Sequence, residues 1–186
     1  MDGMEPTPGT LLIASATLLD PNFARCLLLV LDTNADGTLA VILNRPSEAP
    51  VAEVLRPWRD LVTAPQVLFR GGPVEGGAAL ALGRLNGTGT PPGWQPLAGP
   101  VGVLDLDSDP DGYVGHLAAL RVYAGYAGWG AGQLEEEIAE GSWHLAPSQD
   151  ADLFTPAPER LWRQVLRRQP TPVSLLATLP EDAQLN

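Results

Sequence analysis

The sequence predicts an α+β fold in a single domain, and three observations lead to that prediction. Apolar runs typical of strands come first along the chain, and the two clearest helical patterns follow residue 130. No internal repeat and no clear linker divides the sequence. The chain has 186 residues, of which 45% are hydrophobic, and that length suits one domain with a full core.

The N-terminal part predicts a lead segment followed by three strands. Residues 1–8 contain two prolines and no periodicity, so we expect a flexible lead, and a strand begins at residues 11–14. Two unbroken apolar runs, 25–31 and 38–43, flank the turn-forming segment 32–37. They predict a hairpin of two central strands that are covered on both faces.

Shorter elements follow this hairpin. Residues 51–58 predict a short helix that ends by Pro57, and strands are expected at 67–70 and 78–82, on either side of a Gly-Gly-Pro turn. Residues 86–93 are rich in glycine and proline and predict an exposed loop. Further strands are expected at 101–106, at 117–123 and around His144.

Two amphipathic helices are expected near the C-terminus. Residues 133–140 carry Leu134 and Ile138 on one face and end at Gly141. Residues 159–169 combine an apolar stripe with a face of four arginines. The remaining residues, 170–186, show no strong pattern, so the predicted organisation is a lead at 1–8, a domain at 9–169 and a tail at 170–186.

Charge restricts the partners of this protein. The chain has 22 acidic and 11 basic residues, all of the latter arginine, and a net charge of −11. Direct nucleic-acid binding and docking on an anionic membrane are therefore disfavoured, because both need clustered cations. An acidic N-terminus, no long apolar run and a single cysteine, Cys26, lead us to expect a cytoplasmic protein.

The acidity and the arginines are unevenly placed along the chain. Residues 159–168 carry a net charge of +3, from four arginines and one glutamate, whereas residues 105–152 carry −9, from ten acids and Arg121. One interpretation is that the two segments pack together and partly neutralise each other. The other is that the arginine face docks an acidic partner. The first is favoured, because exposed helix charges are usually only solvated.

No motif in the sequence predicts a metal, a cofactor or a catalytic residue. Residues 32–37 match half of a calcium loop, but Leu43 stands where its closing glutamate is needed, so a hairpin turn is favoured. The acidic run from Asp105 to Asp111 is interpreted as a solvated loop, with a weak cation site left open. Cys26 is expected to be a buried, inert thiol, and a G-x-S-x-G elbow is absent.

The most glycine-dense stretch, residues 125–132, is expected to lie between a strand and a helix. Such a placement could present backbone N–H groups to an anion. A phosphate loop, however, would need lysine and serine or threonine where Ala131 and Gly132 stand, and the dinucleotide fingerprint fails at Gln133. Close packing of backbone is the favoured interpretation of these glycines.

Several of these stretches, in this order, resemble the YqgE/AlgH family of bacterial proteins. The resemblance runs from about residue 9 to 166 and begins with residues 11–14 and 20–25. Its most specific parts are Asn44-Arg45-Pro46, Gly71-Gly72-Pro73-Val74 and Gly125-Tyr126-Ala127-Gly128-Trp129 with Gly132-Gln133. The resemblance implies a bifurcated, mixed β-sheet with helices around it and a biochemical activity that is essentially uncharacterised. One branch of the family is labelled a transcriptional regulator of alginate synthesis.

Two functional hypotheses follow. The leading one is a non-enzymatic cytosolic regulatory protein that acts through protein or small-molecule contacts, because glycine-rich motifs supply neither a nucleophile nor a proton donor. The alternative is a small-molecule or nucleotide binder, or an undetected enzyme, in which Arg45 binds an anion and Gln133 orients it. Its site would combine all the family-motif residues: Asn44, Arg45, Pro46, Gly71, Gly72, Pro73, Gly125, Tyr126, Gly128, Trp129, Gly132 and Gln133.

Overall fold

The computed structural model describes residues 4–180, and a single sheet dominates them. Its strands are β1 (Thr10–Ala14), β2 (Leu27–Asn34), β3 (Gly37–Ile42), β4 (Pro46–Pro50), β5 (Val67–Arg70), β6 (Val74–Leu85), β7 (Gln95–Ala98), β8 (Val101–Leu104), β9 (Leu117–Gly130) and β10 (Trp143–Pro147). The order across the sheet is β10-β1-β2-β3-β9-β6-β8-β7, and β5 pairs with β4 and β9.

The helices are short. They are α1 (Val51–Val54), α2 (Gln133–Ala139), α3 (Asp150–Leu153) and α4 (Leu161–Arg167), with 3₁₀-helices at Arg56–Trp58, Pro110–Tyr113, Pro158–Arg160 and Val173–Thr178. An α+β single domain is therefore observed, but the expectation that helices surround the sheet is wrong. Proline and glycine limit helix length, since Gly141 follows α2 and Pro170 follows α4.

The predicted hairpin is confirmed and forms the middle of the core. β2 and β3 pair antiparallel, and the turn between them consists of Ala35 and Asp36. Alternate β2 residues face opposite sides: Leu27 and Leu29 pack in one apolar cluster with α4, and Leu28 packs in another with α2 and β10. Both faces of the hairpin are thus covered, as its continuous hydrophobicity predicts.

The longest strand, β9, has two partners along one edge. Its C-terminal part pairs antiparallel with β3, from Ala127 to Gly130, while Tyr123 and Ala124 pair in parallel with β5. The other edge of β9 pairs with β6. The sheet is therefore mixed, and it divides where the pairing of β9 passes from β5 to β3. We call this place, between Ala124 and Ala127, the fork.

Some sequence-based boundaries are wrong. The strand expected to end at residue 123 continues to Gly130, so most of the glycine-dense stretch is strand rather than loop. Edge strands β4 and β7 and the short α3 are not anticipated, because proline in β4 and β7 weakens their strand pattern. The strands at β1 and β10 and the helices α2 and α4 are confirmed.

The C-terminal segment packs against α4. The 3₁₀-helix Val173–Thr178 lies within residues 170–186, where no element is predicted, and the Arg163 guanidinium donates hydrogen bonds to the carbonyl groups of Ala177 and Leu179. Part of the predicted lead and part of the predicted tail, residues 1–3 and 181–186, fall outside the described residues. Between residues 4 and 180, no helix has the length and apolar character needed to span a membrane.

Candidate functional site

Asn44 holds the backbone that leads into β2. Its Oδ1 accepts a hydrogen bond from the Leu27 N–H at 2.9 Å, and its Nδ2 donates to the Arg25 carbonyl at 2.9 Å. Arg25 has a left-handed φ of 57°, which is uncommon for a residue other than glycine. The Asn44 amide therefore stabilises a strained turn at the start of a central strand.

Arg45 fastens the preceding loop from the same side. Its Nη1 donates to the Pro21 carbonyl at 2.9 Å and its Nη2 to the Ala24 carbonyl at 3.1 Å. The side chain is half-buried, and within residues 4–180 it forms no ion pair with a carboxylate. Because a guanidinium has five N–H groups, these two bonds leave donors for another acceptor.

Gly71 joins three strands at the fork. Its N–H donates to the Ala124 carbonyl of β9, and its carbonyl accepts from the Ile42 N–H of β3, both at 2.8 Å. A Cβ at this position would lie 2.2 Å from the Gly125 carbonyl oxygen. Only glycine lets the two backbones approach this closely, so the close-packing interpretation holds here.

Gly72 and Gly125 complete this backbone contact. A Cβ on Gly72 would lie 2.1 Å from both the carbonyl carbon and the oxygen of Tyr126. Gly125 has a φ of 73°, and a Cβ there would lie 2.6 Å from the Gly72 carbonyl oxygen. By contrast, Gly132 has open space around it. The Gly-Gly-Pro turn and the start of the later glycine-rich stretch are therefore one packed unit.

A pocket of about 290 Å³ lies beside the fork, and we call it the fork pocket. It is lined by Pro21, Asn22, Ile42, Arg45, Arg70, Gly72 and Pro73. Two of these residues are arginines and none is acidic. The Arg70 side chain is exposed, and within residues 4–180 its guanidinium has no hydrogen-bond or ion-pair partner. Arg70 is missing from the site predicted from the sequence.

Trp129 and Gln133 belong to a different assembly, centred on Glu137. The Glu137 Oε2 accepts hydrogen bonds from the indole N–H groups of Trp129, at 2.9 Å, and Trp143, at 2.8 Å. Its Oε1 accepts from Gln133 Nε2 at 3.1 Å, and Gln133 Oε1 accepts from the Gly130 N–H. These contacts attach α2 to β9 and β10, and Gln133 is thereby engaged away from Arg45.

The structure thus brings together only part of the site predicted from sequence. Arg45, Gly72 and Pro73 line the fork pocket, while Gly71, Gly125 and Tyr126 supply backbone behind it. Pro46 begins β4 and pairs with Phe69 of β5. The remaining residues do not line the pocket: Asn44, Gly128, Trp129, Gly132 and Gln133.

Groups able to do metal or acid–base chemistry are sparse. Within residues 4–180, no three His, Cys, Asp or Glu side chains are grouped as a metal site. In the acidic loop, the Asp105 and Asp109 carboxylates accept backbone N–H groups two residues further on. Burial raises the pKa of the Cys26 thiol to about 11, so it stays protonated, and burial lowers the pKa of His144.

Arg121 is a fully buried cation that sequence reasoning does not single out. Its guanidinium donates to the carbonyl groups of Ala64, Leu153 and Thr155, and it lies 4.4 Å from the centre of the Phe69 ring. Burial lowers its pKa. Because Arg121 is fully buried and these three hydrogen bonds all go to backbone carbonyl groups, its role is structural.

Known proteins resemble this chain over nearly its full length. UPF0301 proteins of Streptomyces avermitilis and Mycobacterium tuberculosis are 45% and 44% identical to it, each over 96% of this chain and 94% and 90% of their own. A crystal structure of a Corynebacterium diphtheriae protein superposes with a TM-score of 0.91 at 31% identity, covering 96% of this chain and 95% of that one.

A second solved structure carries the name of the family. The solution structure of the AlgH protein from Pseudomonas aeruginosa matches with a TM-score of 0.69 and 28% identity, covering 98% of this chain and all of that one. The family model described as AlgH-like matches residues 11–174, which include the fork and the Glu137 assembly. The chain therefore belongs to the AlgH-like family, whose members among these relatives are named without a specific biochemical function.

Proposed function

We propose that this protein binds a small anion in the fork pocket and acts as a non-enzymatic regulatory protein through that ligand. The observation that carries the proposal is the pairing of Arg45 and Arg70 in one pocket that no acidic side chain lines. The chain has a net charge of −11, yet these two arginines line the same pocket and form no ion pair with a carboxylate of residues 4–180.

The two arginines offer complementary kinds of binding. Arg45 is held by the carbonyl groups of Pro21 and Ala24, so its guanidinium is already oriented before a ligand arrives. Arg70 is exposed, and its planar guanidinium group has N–H donors available for a bidentate contact with phosphate or carboxylate. A preorganised cation and an adjustable one together favour a compact anionic group.

The size of the pocket limits the ligand. Its volume of about 290 Å³ lies just below the range of about 300–1,000 Å³ that is typical of pockets for drug-sized ligands. This favours a phosphorylated or carboxylated metabolite over a dinucleotide. The residues that line the pocket include no Ser, Thr, Cys, His, Asp or Glu, which are the usual nucleophiles and general acids or bases. The proposed function is therefore binding without catalysis.

A thermal-shift screen tests this function. Inorganic phosphate, sugar phosphates, nucleoside monophosphates and dicarboxylates are each titrated against the wild type, because a ligand that binds only the folded state raises Tm. Arg70→Gln is expected to abolish the shift without changing the ligand-free Tm. Arg59→Gln removes the charge of an exposed arginine that does not line the fork pocket, so it serves as the charge-matched control and should retain the shift.

Two results would overturn the proposal. One is a screen in which no anion raises the Tm of the wild type at low ionic strength. The other is a shift that Arg70→Gln and Arg59→Gln diminish equally, because that outcome would indicate general charge screening rather than a site.

The proposal also assigns the protein to the cytoplasm, in keeping with its single buried free cysteine.

A further inference from the structure

A second arginine-lined surface lies on α4 and the 3₁₀-helix that precedes it, and it shares no residue with the fork pocket. It is a groove of about 640 Å³ lined by Glu159, Arg160, Arg163, Gln164 and Arg167. The three arginines are spaced by three and four residues, which places them along one face of the helical segment. We call this groove the α4 groove.

Ion pairs with acidic side chains of residues 4–180 do not neutralise Arg160 and Arg167 of the α4 groove. Arg168 forms an ion pair with the buried Asp152, so one contact between the basic helix and the acidic segment 105–152 is present. Arg168, however, is not part of the α4 groove. Over residues 4–180, Arg160 and Arg167 are exposed and form no ion pair with any acidic side chain.

The packing of α4 fixes the direction in which the groove faces. The apolar stripe of Leu161, Trp162, Val165 and Leu166 is buried against the sheet, with 0–3% of each side chain exposed. The helix therefore cannot rotate without losing this contact. With a rise of about 1.5 Å per residue, Arg160 and Arg167 are separated by about 10 Å along the axis.

A smaller pocket continues the basic surface toward β2. It has a volume of about 250 Å³, shares Glu159 and Arg163 with the α4 groove, and adds Arg25, Asn44 and Trp162. The Arg25 guanidinium lies 5.2 Å from the centre of the Trp162 ring.

We propose that the α4 groove docks an acidic segment of a partner protein. A peptide in the polyproline II conformation has three residues per turn and a rise of about 3.1 Å per residue, so carboxylates three residues apart lie on one face about 9 Å apart and match the spacing of Arg160 and Arg167. A nucleic acid fits less well, because its phosphates continue beyond the groove into the field of a chain with a net charge of −11. A short acidic segment feels mainly the charges within a Debye length of about 8 Å.

Fluorescence anisotropy with a labelled model peptide tests this docking. The probe is a proline-rich peptide of about twelve residues in the polyproline II conformation, with glutamate at every third position, and its control has the same composition with the glutamates clustered at one end. The double variant Arg160→Gln/Arg167→Gln is expected to weaken binding of the spaced peptide at least about tenfold. Arg56→Gln/Arg59→Gln removes two exposed arginines elsewhere and should change it less than about twofold.

Each other outcome contradicts the proposal. Absence of spaced-peptide binding at low salt, equal binding of the clustered peptide, or equal weakening by both double variants would show that the groove is only a solvated face. Tighter binding of a DNA duplex of equal charge would identify a different partner class. Self-association that the Arg160/Arg167 variant abolishes in sedimentation would identify a second copy as the occupant. Circular dichroism of both variants confirms that they fold.

Discussion

Glu137 provides a sharp test of how the glycine- and tryptophan-containing motif holds the fold together. Truncation by Glu137→Ala removes the acceptor of two indole N–H groups, on Trp129 and Trp143, whose side chains are only 6% and 2% exposed. It also removes the acceptor of the Gln133 amide. The residue itself is half-buried, so water replaces part of the lost bonding.

The expected cost follows from these contacts. A buried donor that loses its acceptor costs about 1–3 kcal/mol, and partial access of water places the cost of each indole N–H group near the lower end of this range. We therefore expect Glu137→Ala to lower the free energy of unfolding by about 2–4 kcal/mol. Glu137→Gln keeps one oxygen that both indole groups can reach but presents an amide N–H₂ group toward Gln133. Its expected cost is therefore about 1 kcal/mol.

Urea unfolding followed by tryptophan fluorescence measures these differences in the free energy of unfolding. Glu136→Ala, an exposed position on the same helix, is the control, because it changes helix propensity equally and should stay within about 0.5 kcal/mol of the wild type. A Glu137→Ala variant no less stable than Glu136→Ala would refute the assignment of Glu137 as the acceptor of both indole groups.

Three further predictions concern the fork and the half-buried His144, and each is measured by urea unfolding. Arg45→Gln should lower the free energy of unfolding by about 1–3 kcal/mol, because two hydrogen bonds to carbonyl groups disappear. Arg70→Gln should stay within about 0.5 kcal/mol of the wild type. Equal effects of the two substitutions would contradict the separate roles assigned to these arginines. Gly72→Ala should lower the free energy of unfolding by more than about 3 kcal/mol, or prevent folding, because its Cβ would lie 2.1 Å from the Tyr126 carbonyl group. A substitution without effect on stability would contradict this close packing at the fork. Burial lowers the pKa of His144 in the folded protein below its value of about 6.5 in the unfolded chain. As the pH falls, the unfolded chain therefore binds the proton first, and the free energy of unfolding decreases below about pH 6.5. His144→Gln should reduce this decrease between about pH 7.5 and 5.5, and an unchanged pH dependence would contradict the assignment to His144.

Local patterns predicted the central hairpin and the helices α2 and α4. The runs that form β2 and β3 are continuous and apolar, and both neighbouring faces are indeed covered. α2 and α4 each carry an apolar stripe at helical spacing, which is also a local property. Such patterns depend on residues within a few positions of one another, so a single sequence contains them.

The extent of β9 depended on contacts distant in sequence. Glycines usually indicate a loop, and Gly125 to Gly130 therefore suggested that the strand had ended. In the structure, Gly125 lies in the strand because the backbone of Gly71 and Gly72 packs directly on it. The reason for the glycines lies more than fifty positions earlier, where no local pattern reveals it.

The candidate site was predicted in part for the same reason. Arg45 stands in a family motif and was identified, whereas Arg70 ends an ordinary apolar strand and reaches the pocket only because β5 pairs with β9. Trp129 and Gly125 lie in one continuous motif. A strand, however, advances about 3.3 Å per residue, so the four steps between them span about 13 Å and separate Trp129 from the fork.

The most direct test of the proposed binding function observes the arginine side chains themselves. A ¹⁵N-labelled sample is titrated with inorganic phosphate and then with the best ligand of the thermal-shift screen. Each of the eleven arginines contributes an Nε–Hε resonance. Spectra of Arg45→Gln and Arg70→Gln assign the resonances of these two residues. We predict saturable shifts of the Arg45 and Arg70 resonances at ligand concentrations that leave the Arg56 and Arg59 resonances unchanged. Uniform, non-saturating shifts of all the exposed arginines, or none at Arg45 and Arg70, would contradict an anion site at the fork.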